Sequence, residues 1–157
     1  MPDRFPADVV GVLTDAGWSP TRAGAATAGP GPAAPPELGL PFKPFPAAVD
    51  ALREFAGLCV VQDGAGVDVR RRPFLLDPTE VVATTQTLAD FGAVLGCRLF
   101  PLGMEGDHES IIAIAETGHV FALDPTGEWH LGDSIDAALV TLITGTMPPR
   151  VTADGSW

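Results

Sequence analysis

The chain has 157 residues, of which 46% are hydrophobic and 18% charged, and its 20 acidic and 9 basic residues give a formal net charge of −11. This length and hydrophobic content predict a single domain over residues 1–157 with a core of its own. The negative charge argues against nucleic acid and anionic membranes as partners, because phosphates would be repelled, and it favours a basic protein unless it serves solubility alone.

The first half of the chain is predicted to alternate helices with short strands. Apolar residues at helical spacing predict helices over Phe5–Ala16 and Phe45–Ala56. Residues 23–44 lie between them and begin with AGAATAGPGPAAPP, which has no charged, aromatic or large aliphatic side chain. Such a segment cannot bury enough apolar area to offset its ordering entropy, so a mobile insert is expected there.

The second half is predicted to be a sheet closed by a helix. A third helix over Thr84–Leu95 precedes apolar, β-branched runs that are joined by tight turns at Glu116–Gly118 and Asp124–Gly127. Asp133 or Ser134 can cap a last helix that ends at Gly145. The predicted strands lie near residues 58–61, 67–76, 99–102, 110–115, 119–123 and 128–131. The fold class expected is α+β, a single mainly antiparallel sheet with helices packed around it.

Two basic or aromatic groupings have a structural and a functional interpretation. Arg70, Arg71 and Arg72 form the only dense positive charge, which suits a solvated edge strand better than a phosphate site on an acidic protein. Trp18 and Arg22 follow the first helix in the sequence GWSPTR. They are interpreted as a plug that fixes the exit of that helix, with a ring packed beneath a cation as the alternative.

The densest polar sequence is Glu105-Gly106-Asp107-His108-Glu109. Its carboxylates and imidazole are metal-binding groups, but neighbouring residues of an extended loop point in different directions, and no helical histidine pair supports them. The other two histidines, His119 and His130, are isolated on separate predicted strands. The sequence therefore predicts a solvated acidic loop, no metal site and no cofactor.

Motifs of catalysis and of nucleotide binding are absent from the sequence. It contains no GxSxG elbow, no GxGxxG turn between a strand and a helix, and no P-loop lysine, so no catalytic residue and no enzymatic activity are predicted. Cys59 and Cys97 have apolar neighbours and no nearby cysteine or histidine, which predicts two buried, reduced thiols. Without a signal peptide or a run long enough to span a bilayer, a soluble cytoplasmic protein is expected.

Six short motifs follow one another along the chain: AGWSPTR, PAAVDALREFAGLCV, FLLDP, LGCRLFPLG, IAIAETGHVFAL and DSIDAALVTLITG. Together they resemble the SUKH superfamily, and within it the third bacterial immunity subfamily. The resemblance covers most of the chain outside residues 23–44, where the sequence departs from the family, and the last dozen residues. The positions that match the family pattern, each with a structural explanation, are Trp18, Arg22, Gly57, Pro101, Gly103, Gly118, Trp129 and Gly132.

The resemblance implies an α+β immunity protein without enzymatic activity. It would bind and neutralise a cognate toxin of a polymorphic or contact-dependent toxin system, and many such toxins are basic nucleases. A monomer is expected. Two other functions stay open: a regulatory or scaffold domain of the same superfamily that binds an endogenous protein, and a small metal-dependent hydrolase that uses Asp107, His108 and Glu109.

Acidic loops are the expected partner-binding surface, because loops expose charge best and strands at both ends would hold this one in place. Electrostatic complementarity would then speed the encounter with a basic toxin. The candidate partner-binding residues are Glu105, Asp107, His108, Glu109, Asp63, Asp68 and Asp133.

Overall fold

The computed structural model describes residues 5–19, 45–78, 85–106 and 110–157. The helices in these ranges are α1 (Ala7–Asp15), α2 (Pro46–Phe55), α3 (Thr85–Leu95) and α4 (Ile135–Thr144). The strands are β1 (Cys59–Val60), β2 (Phe74–Leu75), β3 (Leu99–Glu105), β4 (Ser110–Ala115), β5 (Val120–Asp124) and β6 (Gly127–Gly132). The predicted insert at 23–44 lies outside the described residues, as do Arg22, Asp107, His108 and Glu109.

The six strands form one sheet in chain order, β1 to β6, and every neighbouring pair is antiparallel. The two turns predicted from the sequence join β4 to β5 and β5 to β6, and Gly118 in the first of them has a φ of 96°. A positive φ is unfavourable for residues with a Cβ, which explains the glycine at this turn. The predicted α+β class with one antiparallel sheet is confirmed.

The strand predicted at Val67–Leu76 is wrong in length, since only Phe74 and Leu75 pair in the sheet. Residues 61–73 leave the sheet and form a long connection between β1 and β2, within which a single bridge pairs Ala65 with Arg70. β3 is longer than predicted and extends to Glu105, which is the partner of Phe74. The apolar residues Val67 and Val69 are therefore not part of the sheet.

Both faces of the sheet are covered. In β4, Ile112 and Ile114 pack with α1, α2 and α4, whereas Ile111 and Ala113 pack with α3 and with Val151 of the C-terminal segment. Alternate side chains of a strand point to opposite faces, so a strand covered on both sides is apolar throughout. This explains the continuous apolar run of β4.

Trp18 packs just after the C-terminal end of α1, where it has the structural role that the sequence predicted. Its side chain is buried, its Nε1 donates a hydrogen bond to Glu54 Oε1 at 3.1 Å, and the ring of Phe5 meets it edge-on at 5.5 Å between centroids. A carboxylate of α2 therefore satisfies the polar atom of the indole. The ring contributes to the core between α1 and α2.

The family-pattern residues of β3 mark a close approach between strands. The register shifts between Pro101 and Gly103, and a Cβ on Gly103 would collide with the carbonyl oxygen of Leu75. A Cβ on Gly132 would lie 2.6 Å from the nitrogen of Ala138 at the start of α4. Both glycines are thus required by close packing against neighbouring backbone.

The two cysteines differ from the expectation of buried thiols. Both are free, but Cys59 is exposed and Cys97 is half-buried. Cys59 lies on the edge strand β1 and alternates with the buried Val60, so its side chain points outward. Burial is the main cause that raises the pKa of the Cys97 thiol.

Among the described residues, no helix has the length and apolar character that a membrane crossing demands.

Candidate functional site

Two of the predicted partner-binding acids, Asp68 and Asp133, lie at opposite ends of α4. Asp68 Oδ2 accepts a hydrogen bond from the N–H of Met147, 2.9 Å away, just beyond the C-terminal end of the helix. Asp133 precedes the N-terminal end. Because α4 has 10 residues, its ends are about 15 Å apart. The structure therefore separates Asp133 from Asp68, which the sequence had grouped together.

Residues 61–73, called here the docked loop, are fixed to the C-terminal end of α4. The N–H groups of Val67, Asp68 and Val69 donate to the carbonyls of Thr144 and Gly145 at 2.8–2.9 Å. The last carbonyls of a helix have no partner within the helix, and here the loop supplies one. The hydrogen bonds that would have paired residues 67–69 in the sheet go to α4 instead.

Two glycines permit this contact. Gly145 ends α4 in the left-handed conformation with a φ of 70°, and a Cβ there would lie 2.6 Å from the Cα of Gly66 and from the carbonyl oxygen of Val69. A Cβ on Gly66 would lie 2.5 Å from the Cα of Gly145. Backbone therefore packs directly on backbone, and no side chain fits between the loop and the helix.

The side chain of Gln62 also connects the docked loop to α4. Gln62 Nε2 donates to the carbonyls of Arg72 and Leu142, both at 2.9 Å. One contact closes the loop on itself and the other attaches it to α4. Together with the backbone hydrogen bonds of residues 67–69, these contacts attach the loop to α4 near its first residue and at its middle.

A cavity of about 300 Å³ opens between the docked loop, the C-terminal end of α4 and the ends of the strands. Its apolar lining includes Val69, Trp129 and Met147, and its polar lining includes Arg72 and Glu105. Glu105 is the first residue of the predicted acidic loop, and Ser110, which directly follows that loop in the sequence, lines the same cavity. Residues on both sides of positions 107–109 of the sequence therefore line this cavity.

The charge around this cavity is mixed rather than purely acidic. Arg72 and Glu105 form an ion pair at 3.1 Å, in which the Glu105 side chain is only 12% exposed. Arg70 and Asp63 form a second pair at 2.6 Å that is largely exposed. A hydrogen bond from Gly64 and the guanidinium of Arg70 lower the pKa of Asp63. The arginines that were predicted on an edge strand thus neutralise part of the acidic surface.

Trp129 forms one wall of the cavity and is held from two sides. Its Nε1 donates to Asp124 Oδ2 at 3.3 Å, and the guanidinium of Arg150 lies 5.5 Å from its ring centroid. Burial raises the pKa of Asp124, but hydrogen bonds from Thr126, Trp129 and Gly127 outweigh it and lower the pKa below its ordinary value. The β5–β6 turn therefore fixes the indole in place.

An apolar patch borders the same cavity. Val67, Val69 and Met147 expose 74%, 38% and 51% of their surface, although all three lie where the docked loop meets the end of α4. We call these three residues the apolar patch. Exposed apolar side chains on a rigid backbone next to a cavity are typical of binding surfaces.

A second grouping, at the N-terminal end of α4, was missed by the sequence analysis. His119 Nδ1 and His130 Nε2 lie 2.9 Å apart, and Asp133 Oδ1 lies 3.3 Å from each of them. The interpretation of the two histidines as isolated is therefore wrong. We call His119, His130 and Asp133 the histidine cluster.

The histidine cluster is packed against the C-terminal residue of the chain. The rings of His130 and Trp157 are stacked, with centroids 4.3 Å apart and planes at 9°, and Phe121 contacts both. His130 is buried, and burial is the first cause that lowers its pKa, followed by the nearby His119. Asp133 acts in the opposite direction.

The hairpin register contains the signal that the sequence analysis did not use. A turn at residues 125–126 pairs Phe121 with His130, and residues diagonally opposed on one face of a hairpin lie close together. His119 is two positions before Phe121 and thus falls on the same face as His130. Counting outward from the turn would have brought the two imidazoles together.

A model of the SUKH-3 immunity protein family matches residues 5–145 of the chain. This range includes all the helices and strands described above. Searches of curated proteins and of solved structures return no significant match.

Proposed function

Because the chain belongs to the SUKH-3 immunity protein family, we propose that it binds a cognate toxin of a polymorphic or contact-dependent toxin system and neutralises it by forming a tight complex. The protein acts as a binding partner and not as an enzyme. The toxin is a basic protein, and the complex forms in the cytoplasm. A monomer of the immunity protein meets one toxin.

The observation that carries this proposal is the apolar patch beside the cavity. Interfaces owe most of their affinity to a few side chains that become buried in well-packed surroundings. Val67 and Met147 are exposed, yet the N–H of Val67 donates to the carbonyl of Thr144 in α4 and the N–H of Met147 to Asp68 Oδ2, so little ordering entropy is lost on binding. A toxin side chain entering the cavity would pack against Trp129 and Val69.

The charge of the protein supports a basic toxin. The whole chain carries −11, and the sequence between Glu105 and Ser110 contributes Asp107 and Glu109 to that charge. Ion pairs with arginine occupy Glu105 and Asp63. We therefore assign electrostatic steering to the long-range field and to the loop carboxylates, and affinity to the apolar patch.

The test begins by identifying the partner. The full-length protein is immobilised, captured proteins are identified by mass spectrometry, and each one is expressed alone and together with the immunity protein in a growth assay. A genuine toxin arrests growth alone, and co-expression of the wild-type protein restores growth. The double variant Val67→Glu/Met147→Glu is then compared with the wild type.

We expect the double variant to lose protection, because two buried carboxylates without partners would weaken the complex by at least about a hundredfold. The matched control is Val94→Glu, which places a carboxylate on an exposed valine of α3, away from the cavity. Protection by the double variant equal to that of the control would reject the apolar patch as the interface. A toxin that the wild type does not neutralise would reject the function itself.

A further inference from the structure

The three donor atoms of the histidine cluster form a compact triangle. Its sides are 2.9 Å between the two ring nitrogens and 3.3 Å from each nitrogen to Asp133 Oδ1. In a tetrahedral zinc site with bonds of about 2.0–2.1 Å, two ligand atoms are about 3.3 Å apart. Two sides of the triangle match that distance, and the third is shorter by a few tenths of an ångström.

We propose that His119, His130 and Asp133 bind one Zn²⁺ ion through Nδ1, Nε2 and Oδ1. Two imidazoles and one carboxylate are donors that divalent transition ions prefer, whereas Ca²⁺ and Mg²⁺ require a shell of oxygens. All three ligands belong to one cluster of potential metal ligands whose donor atoms lie within 4.8 Å of one another. Three protein ligands leave a fourth tetrahedral position to water.

The ligands sit on elements that the fold holds rigidly. His119 directly precedes β5, His130 lies within β6, and Asp133 lies in the turn from β6 to α4. The stacked indole of Trp157 fixes the plane of the His130 ring. Ligands whose side chains are already oriented lose little entropy on metal binding, so the site needs no rearrangement of the backbone.

The site is accessible to an ion from solvent. The side chain of Asp133 is 80% exposed, that of His119 is 30% exposed, and that of His130 is 9% exposed. The buried imidazole thus forms the floor of the site and the carboxylate its outer edge. Zinc would connect the β5–β6 hairpin to the start of α4, about 15 Å from the C-terminal end of that helix.

The test uses the full-length protein, freed of metal with a chelator that is then removed, and ZnCl₂ alone as the probe. Isothermal titration calorimetry should give one Zn²⁺ per chain. His119→Ala and Asp133→Ala should each weaken Zn²⁺ binding by at least about tenfold, since each removes one ligand. The matched control is His108→Ala, which alters the one histidine of the sequence outside the cluster and should leave affinity and stoichiometry unchanged.

A second readout reports directly on the site and does not depend on any activity. Because Trp157 stacks on His130, saturation with Zn²⁺ should change the tryptophan emission of the wild type. In Trp157→Phe, Zn²⁺ should still bind while this change is lost. Asp133 is so exposed that its replacement leaves the fold intact, which circular dichroism checks. Zn²⁺ bound well below one per chain, or bound with unchanged affinity by both ligand variants, would overturn the proposal.

Discussion

The two ends of α4 present surfaces of opposite character. At the C-terminal end, the docked loop covers the last carbonyls with its backbone and leaves the apolar patch exposed. At the N-terminal end, two imidazoles and a carboxylate converge against an aromatic ring. The first surface is suited to burial under another protein, and the second to an ion. One helix thus supports two kinds of site without overlap between them.

Different interactions hold the two surfaces in place. The C-terminal surface depends on backbone contacts that only glycine permits, so its shape is sensitive to a single methyl group. The N-terminal surface depends on side chains, so its chemistry is sensitive to replacement of one donor atom. Variants at the two ends should therefore have separable effects on toxin binding and on Zn²⁺ binding.

The largest effect is expected from Gly145→Ala, which breaks the C-terminal surface. The added methyl group meets backbone of the docked loop at 2.6 Å, and the residue has a φ of 70°. We expect a loss of about 2–3 kcal/mol in the free energy of unfolding, measured by urea denaturation. Zn²⁺ affinity should be retained, because the cluster lies at the other end of the helix.

The matched control for this variant is Gly11→Ala. Gly11 lies within α1, and no atom lies within 4 Å of the position that its Cβ would occupy. An alanine there should stabilise the protein by about 0.5–1 kcal/mol through its better helix propensity. Equal unfolding free energies for the two variants would mean that the docked loop does not pack closely against the end of α4.

A smaller effect is expected from Asp107→Ala/Glu109→Ala, which tests how much the loop carboxylates contribute to toxin association. Removing two loop carboxylates should slow association with the toxin by about three- to tenfold at low salt and reduce its salt dependence. Stopped-flow kinetics would measure both. Asp8→Ala/Asp50→Ala is the control, since it removes the same charge from exposed positions of α1 and α2.

Glu105 is excluded from that variant for a structural reason. Its side chain is 12% exposed and paired with Arg72, so its replacement would leave a half-buried guanidinium without this carboxylate and lower stability. An association rate that falls equally in the loop variant and in the control would show that only net charge matters. In that case the loop itself would not face the toxin.

Most of the fold could be predicted, because local signals agreed with the tertiary structure. The Ser134 hydroxyl accepts from the N–H of Ala137 and Gly145 ends α4, as the helix-terminus signals predicted. Apolar runs and tight turns likewise predicted β4, β5 and β6. These elements are determined by residues close in sequence.

The sites could not be predicted to the same extent, because distant residues create them. Val67 and Val69 look like strand residues, and only the end of α4, more than 70 positions later in the sequence, draws their backbone away from the sheet. His119 and His130 meet through a hairpin register, and Trp157 joins them from the C-terminus. The contact between His119 and His130 follows from the sequence only when the hairpin register is counted, and the other contacts do not follow from spacing at all.

The smallest effect is expected from Asp124→Asn, which probes how firmly Trp129 is held at the cavity. Hydrogen bonds lower the pKa of Asp124 below its ordinary value of 3.8. A carboxyl with a depressed pKa in the folded state stabilises the fold above its unfolded pKa and loses this contribution as pH falls through the folded value. The variant should therefore show a flatter decline of stability below about pH 4 in acid titrations followed by circular dichroism. An unchanged acid profile would mean that the turn contributes no charge-dependent stability.

The docked loop is tested most directly as the toxin-binding surface by hydrogen–deuterium exchange of the protein alone and in complex with its toxin. We expect the toxin to slow exchange in the docked loop around residues 66–70 and in residues 145–147, and to leave residues 132–134, at the other end of α4, unchanged. Slower exchange confined to the histidine cluster or to α3, with the docked loop unaffected, would contradict it.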